Sequence, residues 1–182
     1  MKFVSAILFV LCLSMVAQRL DAASPAEDGL SMIDHMCAQT NYKDLCVISL
    51  TSDPNSFPAD KMGLALVALR FASSNASDIS ESIKVMLNDT SLNKPSVQQG
   101  LFDCLDEYLD ASQQLDDAIA AILVKAYGDV EKWVDAAIAS VRTCENEFAT
   151  KPSLLAPKND VFIKLCEIAL SISKVADTAE GN

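Results

Sequence analysis

Between residues 97 and 148 apolar side chains recur in alternating steps of four and three. The first half runs Leu101, Leu105, Tyr108, Ser112, Leu115, Ile119, Ile122 and Ala126; the second runs Val130, Val134, Ala137, Val141, Cys144 and Phe148. Such a stripe keeps one side of a helix turned toward a partner, so each half predicts one amphipathic helix. Tyr127-Gly128-Asp129 separates them and reads as a short link, with Gly128 stopping the first helix and Asp129 capping the second. A short link joins antiparallel neighbours, which makes the pair a helical hairpin. Cys104 lies 24 residues before Gly128 and Cys144 lies 16 after it. The mismatch is about two helical turns, small enough for a disulfide across the hairpin once the loop is lengthened.

The same stepping runs from 59 to about 87 through Met62, Leu66, Leu69, Ser73, Ala76, Ser80, Ile83 and Leu87. The polar, small stretch 73–77 predicts a thin waist in one long helix, with a break there as the alternative. After a loop at 151–158 carrying Pro152 and Pro157, Asn159 or Asp160 can cap a last helix bearing Phe162, Leu165, Ala169, Ile172 and Val175. Ahead of these elements, 30–36 and 42–50 read as two short helical pieces too small to fold alone. The expected architecture is all-α: an up-down-up-down four-helix bundle over 59–176, preceded by a disulfide-closed helical hairpin over 23–52.

Composition sharpens that picture. The 182 residues are 51% hydrophobic with only 5 glycines and 6 prolines, as a compact helical protein requires. The prolines fall between the periodic segments, where they interrupt no helix. Residues 1–22 have the form of a signal peptide: Lys2, an apolar run over 3–17, and the small pair Ala22-Ala23. That run is too short for a comfortable membrane span, and no second apolar stretch is long enough. A secreted, soluble domain over 23–182 is expected. Removing the leader takes away Lys2, Arg19 and Asp21, leaving 12 basic and 24 acidic residues and a net charge of −12. So negative a chain is a poor ligand for nucleic acid, anionic membrane or polyanionic polysaccharide. It suits a basic protein partner, or serves solubility.

Five cysteines remain without the leader: Cys37, Cys46, Cys104, Cys144 and Cys166. Two disulfides and one free thiol are expected in an oxidising compartment. Sequence alone does not settle the pairing, but proximity favours Cys37 with Cys46 and the hairpin favours Cys104 with Cys144. Closing those loops corresponds to roughly 2.7 and about 4 kcal/mol in the chain-entropy model. Cys166 sits in an apolar run and reads as a small buried hydrophobe with a free thiol. Asn75-Ala76-Ser77 and Asn88-Asp89-Thr90 are N-glycosylation sequons, the second with a less favoured middle Asp.

Nothing in the chain composes a catalytic site. Its single histidine, His35, stands two residues before Cys37, on the small hairpin, and a Ser-His-Asp triad would need it in a cleft. No HExxH, CxxC or glycine-rich phosphate loop is present, so neither a metal nor a cofactor is expected. Asp103, Asp106, Glu107, Asp110 and Asp117 share the face opposite the apolar stripe. They form either a solvated surface or a docking face for a basic partner. Trp133, the only tryptophan, is core or an interface anchor.

Three blocks together resemble the plant invertase and pectin methylesterase inhibitor family. The first is Ile33-Asp34-His35-Met36-Cys37 with Thr40-Asn41-Tyr42 and Cys46. The second is Asp103-Cys104 with Glu107-Tyr108 and Ala111. The third is Trp133-Val134-Asp135-Ala136-Ala137-Ile138 with Thr143-Cys144-Glu145 and Phe148. The pattern is also similar to a pollen-allergen subgroup labelled as invertase inhibitors. The resemblance implies disulfides Cys37–Cys46 and Cys104–Cys144, a free Cys166, and a secreted, apoplastic inhibitor that blocks a cell-wall enzyme in a reversible one-to-one complex. Invertase inhibitors of the family carry a Pro-Lys-Phe motif before the helix of the fourth cysteine. Here the region reads Gly128-Asp129-Val130-Glu131-Lys132-Trp133, without the proline. Pectin methylesterase inhibition is therefore the leading expectation, with the 103–117 acidic face and Glu131, Lys132 and Trp133 as interface candidates. Acid invertase is the alternative target, and a non-inhibitory bundle is the rival reading.

Overall fold

The computed structural model describes residues 25–148 and 153–180; the leader segment 1–22 lies outside them. Six α-helices follow in order: α1 (Pro25–Cys37), α2 (Lys43–Thr51), α3 (Lys61–Leu87), α4 (Pro95–Leu123), α5 (Tyr127–Glu147) and α6 (Ala156–Glu180). Short 3-10 turns at Pro54–Ser56 and Thr90–Leu92 lead into α3 and α4. The described residues contain no strand. Helices α3 to α6 pack each against its chain neighbours, and α6 closes on α3, giving the up-down-up-down bundle.

Local chemistry opens four of the elements. Asp60 opens α3 by accepting the Gly63 N–H at 2.8 Å, and Pro95 opens α4 where its missing N–H leaves nothing unpaired. Asp53 and Asp89 open the two 3-10 turns in the same way, accepting the N–H groups of Asn55 and Ser91. The polar waist of α3 does not break it. Ser77 and Ser80 return their hydroxyls to the carbonyls one turn back, so small polar side chains are accommodated without leaving the helix.

One predicted turn is displaced. The α4–α5 link is 124–126, not 127–129, and Gly128 and Asp129 lie inside the first turn of α5. Lys125 adopts the left-handed conformation at φ 60° that Gly128 was expected to supply. Centring the turn on Lys125 places it 21 residues after Cys104 and 19 before Cys144. The two-turn mismatch disappears, and the disulfide joins Cα atoms 4.5 Å apart.

The buried stripe of α4 is also rotated from the expected one. Cys104, Ala111 and Ala118 face inward with Leu101, Tyr108, Leu115 and Ile122, whereas Leu105, Ser112 and Ile119 sit on the flank. Small residues at every other contact allow α4 to lie close to its neighbours, and the larger side chains fill the intervening layers. In α3, Leu64, Ala65, Ala68 and Ala72 are buried in place of Met62, Leu66 and Ser73. Helix α6 begins at Ala156, so Pro157 belongs to its first turn and Asn159 is an interior residue rather than a cap. On the same helix Ala176 is buried and Val175 only partly so.

The N-terminal pair α1 and α2 packs on its own bundle. Ile33, Met36, Cys37, Cys46 and Leu50 are fully buried in the same core as the long helices. Cys37 and Cys46 close the pair with Cα atoms 5.5 Å apart. Gly29 rests against the backbone of Phe57: a Cβ there would overlap the Phe57 carbonyl oxygen. The α1 helix can seat against the 54–57 segment because residue 29 has no side chain.

Candidate functional site

Helix α4 presents its carboxylates on the side away from the core. Asp106 and Asp110 are exposed, and Asp103, Glu107 and Asp117 are partly so. Periodicity explains the grouping: positions 103, 106, 107, 110 and 117 fall within about a third of the helix circumference. Asp103 accepts a hydrogen bond from the Gln99 side chain at 2.8 Å, which orients it without neutralising it. Among the described residues, none of the five forms an ion pair with Lys or Arg. Phe102 and Leu109 border this row and are 55% and 51% exposed. From Asp103 to Asp117 the row covers 14 helical steps, about 21 Å at 1.5 Å per step.

Glu131, Lys132 and Trp133 occupy the second turn of α5, in the hairpin's other arm. The Lys132 ammonium lies 4.5 Å from the Trp133 ring centroid, a cation–π contact that holds the lysine over a half-buried ring. Glu131 is paired with Lys174 of α6 at 2.7 Å. Each of its two partners is about half exposed, so the pair contributes little stability. The hairpin register set by the Cys104–Cys144 bond places Asp117 about level with Glu131. Asp117 and Glu131 thus lie at a similar level toward the 124–126 end, with Glu131 turned to α6, while Asp103 lies toward the other end.

A polar cluster that sequence reasoning missed sits beneath the hairpin. The Tyr108 hydroxyl donates to Asn159 Oδ1 at 2.8 Å, and Asn159 Nδ2 donates to Glu145 Oε2 at 2.9 Å. Glu145 also accepts from the Ser153 backbone N–H at 3.0 Å and from the Ser153 hydroxyl. Ser153 Oγ in turn accepts the Leu155 N–H at 3.1 Å. The cluster fastens the end of α5 to the start of α6. A signal for it was present. Asn159 precedes Phe162, Cys166, Ala169, Ser173 and Ala176 in unbroken steps of three and four, all buried positions. Burial pushes the Tyr108 hydroxyl well above the usual tyrosine range, with the neighbouring Cys166 and Glu145 acting in the same direction. Tyr108 is thus a neutral donor.

These groups support no bond-making chemistry. His35 is exposed on α1. Cys166 is a free, fully buried thiol, and burial pushes its pKa well above the usual thiol range, so it stays protonated at neutral pH. Two concavities lie along the α5–α6 seam. One, of about 440 Å³, is lined by Arg142, Asn146, Asp160 and Ile163 among others. The other, of about 110 Å³, is lined by Tyr127, Glu131 and Lys174 among others. Among the described residues, no cluster of three His, Cys, Asp or Glu side chains is placed to hold a metal ion. No helix there is long and apolar enough to cross a membrane.

Comparison with known proteins agrees with this geometry. The chain is 29% identical over 171 residues to a Platanus acerifolia protein named "Putative invertase inhibitor", covering 92% of this chain and 94% of that one. It is equally identical, over 176 residues, to the "Pectinesterase inhibitor" of Actinidia deliciosa, covering 95% and 92%. A crystal structure of a mutant pectin methylesterase inhibitor from Arabidopsis superimposes with a TM-score of 0.65 at 21% identity, over 78% of this chain and 95% of that one, which shows a shared fold. Residues 31–172 match the model of one family. The chain belongs to the plant invertase/pectin methylesterase inhibitor family, whose members are inhibitors and not enzymes.

Proposed function

We propose that this protein is a secreted inhibitor of pectin methylesterase, acting as a rigid one-to-one plug over the enzyme's active-site cleft. The observation that carries the reading is the unpaired row Asp103, Asp106, Glu107, Asp110 and Asp117 on the outer face of α4, bordered by exposed Phe102 and Leu109. Uncompensated carboxylates steer a basic partner into register, and adjoining apolar side chains supply the area that becomes dry on docking. Inhibition of this kind needs no bond made or broken. It needs a face that does not lose much freedom on binding, and two disulfides across the bundle and hairpin limit that loss. Secretion through the 1–22 leader and an apoplastic location belong to the same reading.

Acid invertase is the second reading, and Lys132 stacked on Trp133 is the observation that favours it. Against it, these residues lie within helix α5 and no proline leads into them. The test is to titrate one pectin methylesterase and one acid invertase, near pH 5, with the oxidised mature protein. Loss of pectin methylesterase activity alone at near-stoichiometric ratio is the expected result. Loss of invertase activity alone moves the target, and loss of neither leaves a non-inhibitory bundle. If the α4 row docks, Asp106→Lys with Asp110→Lys weakens inhibition at least tenfold at low salt, and added salt weakens the unmodified protein. If the α5 pair docks instead, Lys132→Ala with Trp133→Ala abolishes inhibition and the α4 changes do not.

A further inference from the structure

Of the two sequons, Asn75-Ala76-Ser77 has the more favourable middle residue, yet the fold treats the two asparagines in opposite ways. Asn88 is the C-cap of α3, where the chain leaves the helix for the 3-10 turn Thr90–Leu92. Asn88, Asp89 and Thr90 are all exposed. The Asn88 side-chain Nδ2 donates to the Lys84 carbonyl at 2.9 Å and so lies along the outer surface of the last turn. An N-linked sugar replaces one of its two N–H protons and leaves one for that contact.

Asn75 is in the middle of a 27-residue helix. It is half buried, and its Oδ1 is shut off from solvent without a hydrogen-bond partner. It stands seven residues before Ser82 and so shares its face of α3. Ser82 faces α6, since the Lys158 ammonium reaches its hydroxyl at 3.4 Å. A glycan on Asn75 would emerge at the α3–α6 seam and would hold open a packed interface.

We infer that Asn88 is the N-glycosylation site of this protein and that Asn75 remains unmodified, because only Asn88 combines an exposed position with a place in a turn beyond a helix end. The inference rests on the secretion proposed above. In the transfer step Asn88 Nδ2 attacks the anomeric carbon of a polyprenyl-diphosphate-linked oligosaccharide. The new bond is Nδ2–C1, the bond broken is C1–O to the diphosphate, the diphosphate departs with the electron pair, and Nδ2 gives up one proton. The glycan then stands at the end of the bundle that carries 88–94. By the Cys104–Cys144 register Lys132 is level with Asp116, which accepts from Ser73, so Asn88, 15 residues beyond Ser73, is about 22 Å further along the bundle than Lys132 and Trp133.

The test is expression of the full chain in plant cells and recovery from the medium, followed by release with a peptide N-glycanase in heavy-oxygen water and peptide mass spectrometry. The expected result is a labelled aspartate at position 88 and an unlabelled asparagine at 75. Asn88→Gln then removes the electrophoretic shift, and Asn75→Gln leaves it. A sugar on Asn75, or a secreted chain bare at both positions, overturns the inference. A chain kept inside the cell with residues 1–22 attached defeats the secretion reading by itself. In that case the same domain behind a generic secretory leader still decides between Asn88 and Asn75.

Discussion

Tyr108 and Asn159 are 51 residues apart in the chain, and the hydroxyl of one donates to the amide oxygen of the other at 2.8 Å inside the core. Tyr108 is fully buried and packs edge-on against Phe162 at 5.6 Å between ring centroids. It thus supplies a large apolar surface together with one polar atom, and that atom requires a partner. Asn159 meets the requirement and passes the connection to Glu145. Tyr108→Phe leaves Asn159 Oδ1 buried without this donor and is expected to cost about 1–3 kcal/mol. Tyr108→Phe with Asn159→Leu is expected to cost less than the sum of the single changes, because the Asn159 Oδ1 that Tyr108→Phe strands is then absent, while Glu145 keeps its two bonds from Ser153. Urea unfolding of the four proteins measures both terms.

Gly29 predicts a sharper effect than its place near the N-terminus suggests. Its Cα seats against the Phe57 backbone, and backbone cannot swing aside as a side chain can. Gly29→Ala is expected to lift α1 from the 54–57 segment and to expose Ile33 and Met36. The result is a fall in melting temperature of several degrees and faster proteolytic cleavage between α2 and α3. In contrast, Gly128 has open space around its missing Cβ, so Gly128→Ala within α5 is expected to stabilise by about 0.5–1 kcal/mol through helix propensity.

Cys166 is predicted to be silent toward thiol reagents. It is fully buried, and burial together with the nearby Glu167 charge keeps it protonated. Alkylation of the native protein at neutral pH is expected to be at least a hundredfold slower than after unfolding in urea, measured by mass. Comparable rates would mean that α6 opens readily.

Acid is predicted to loosen the 88–94 connection. The Asp89 carboxylate accepts the Ser91 N–H at 2.8 Å, and hydrogen bonds from Ser91 hold its pKa below the usual aspartate value. A carboxyl group with a depressed folded pKa contributes stability above its unfolded pKa and loses it as pH falls through the folded value. The window therefore lies below about pH 4, and the contribution is intact near pH 5. Urea midpoints of the parent and Asp89→Ala are expected to differ modestly at pH 5 and to converge by pH 2. A difference that persists at pH 2 would place the effect in something other than the charge.

Much of this molecule was readable along the chain because its bundle is built from local periodicity. The stripe of α5 was found residue by residue: Val130, Val134, Ala137, Val141, Cys144 and Phe148 are all buried. Helix α4 was read about one turn too long at its C-terminal end and with its stripe rotated. Large apolar residues catch the eye, but Cys104, Ala111 and Ala118 face the core, since close helix approach selects small side chains there. The displaced turn has a similar origin. Glycine is the usual left-handed residue, and Lys125 takes that conformation because the flanking helices impose it. The acidic row was legible in full, since five carboxylates at helical spacing need no partner to lie on one face. What they touch was not, because an interface belongs to two surfaces and one chain encodes only its own.

By itself, the sequence determined the helices, their antiparallel order, the outward charge and a framework of cysteines. All of these follow from contacts within a few residues of one another or from the short link between neighbouring helices. Only the tertiary structure decided that Asn159 serves Tyr108 instead of capping a helix, that Gly29 seats the N-terminal pair on its own bundle, and that Asn75 is half buried where Asn88 is exposed. Those outcomes depend on which side of a helix meets which distant neighbour. Helical periodicity says that a face is buried, while the packing of the bundle decides against what.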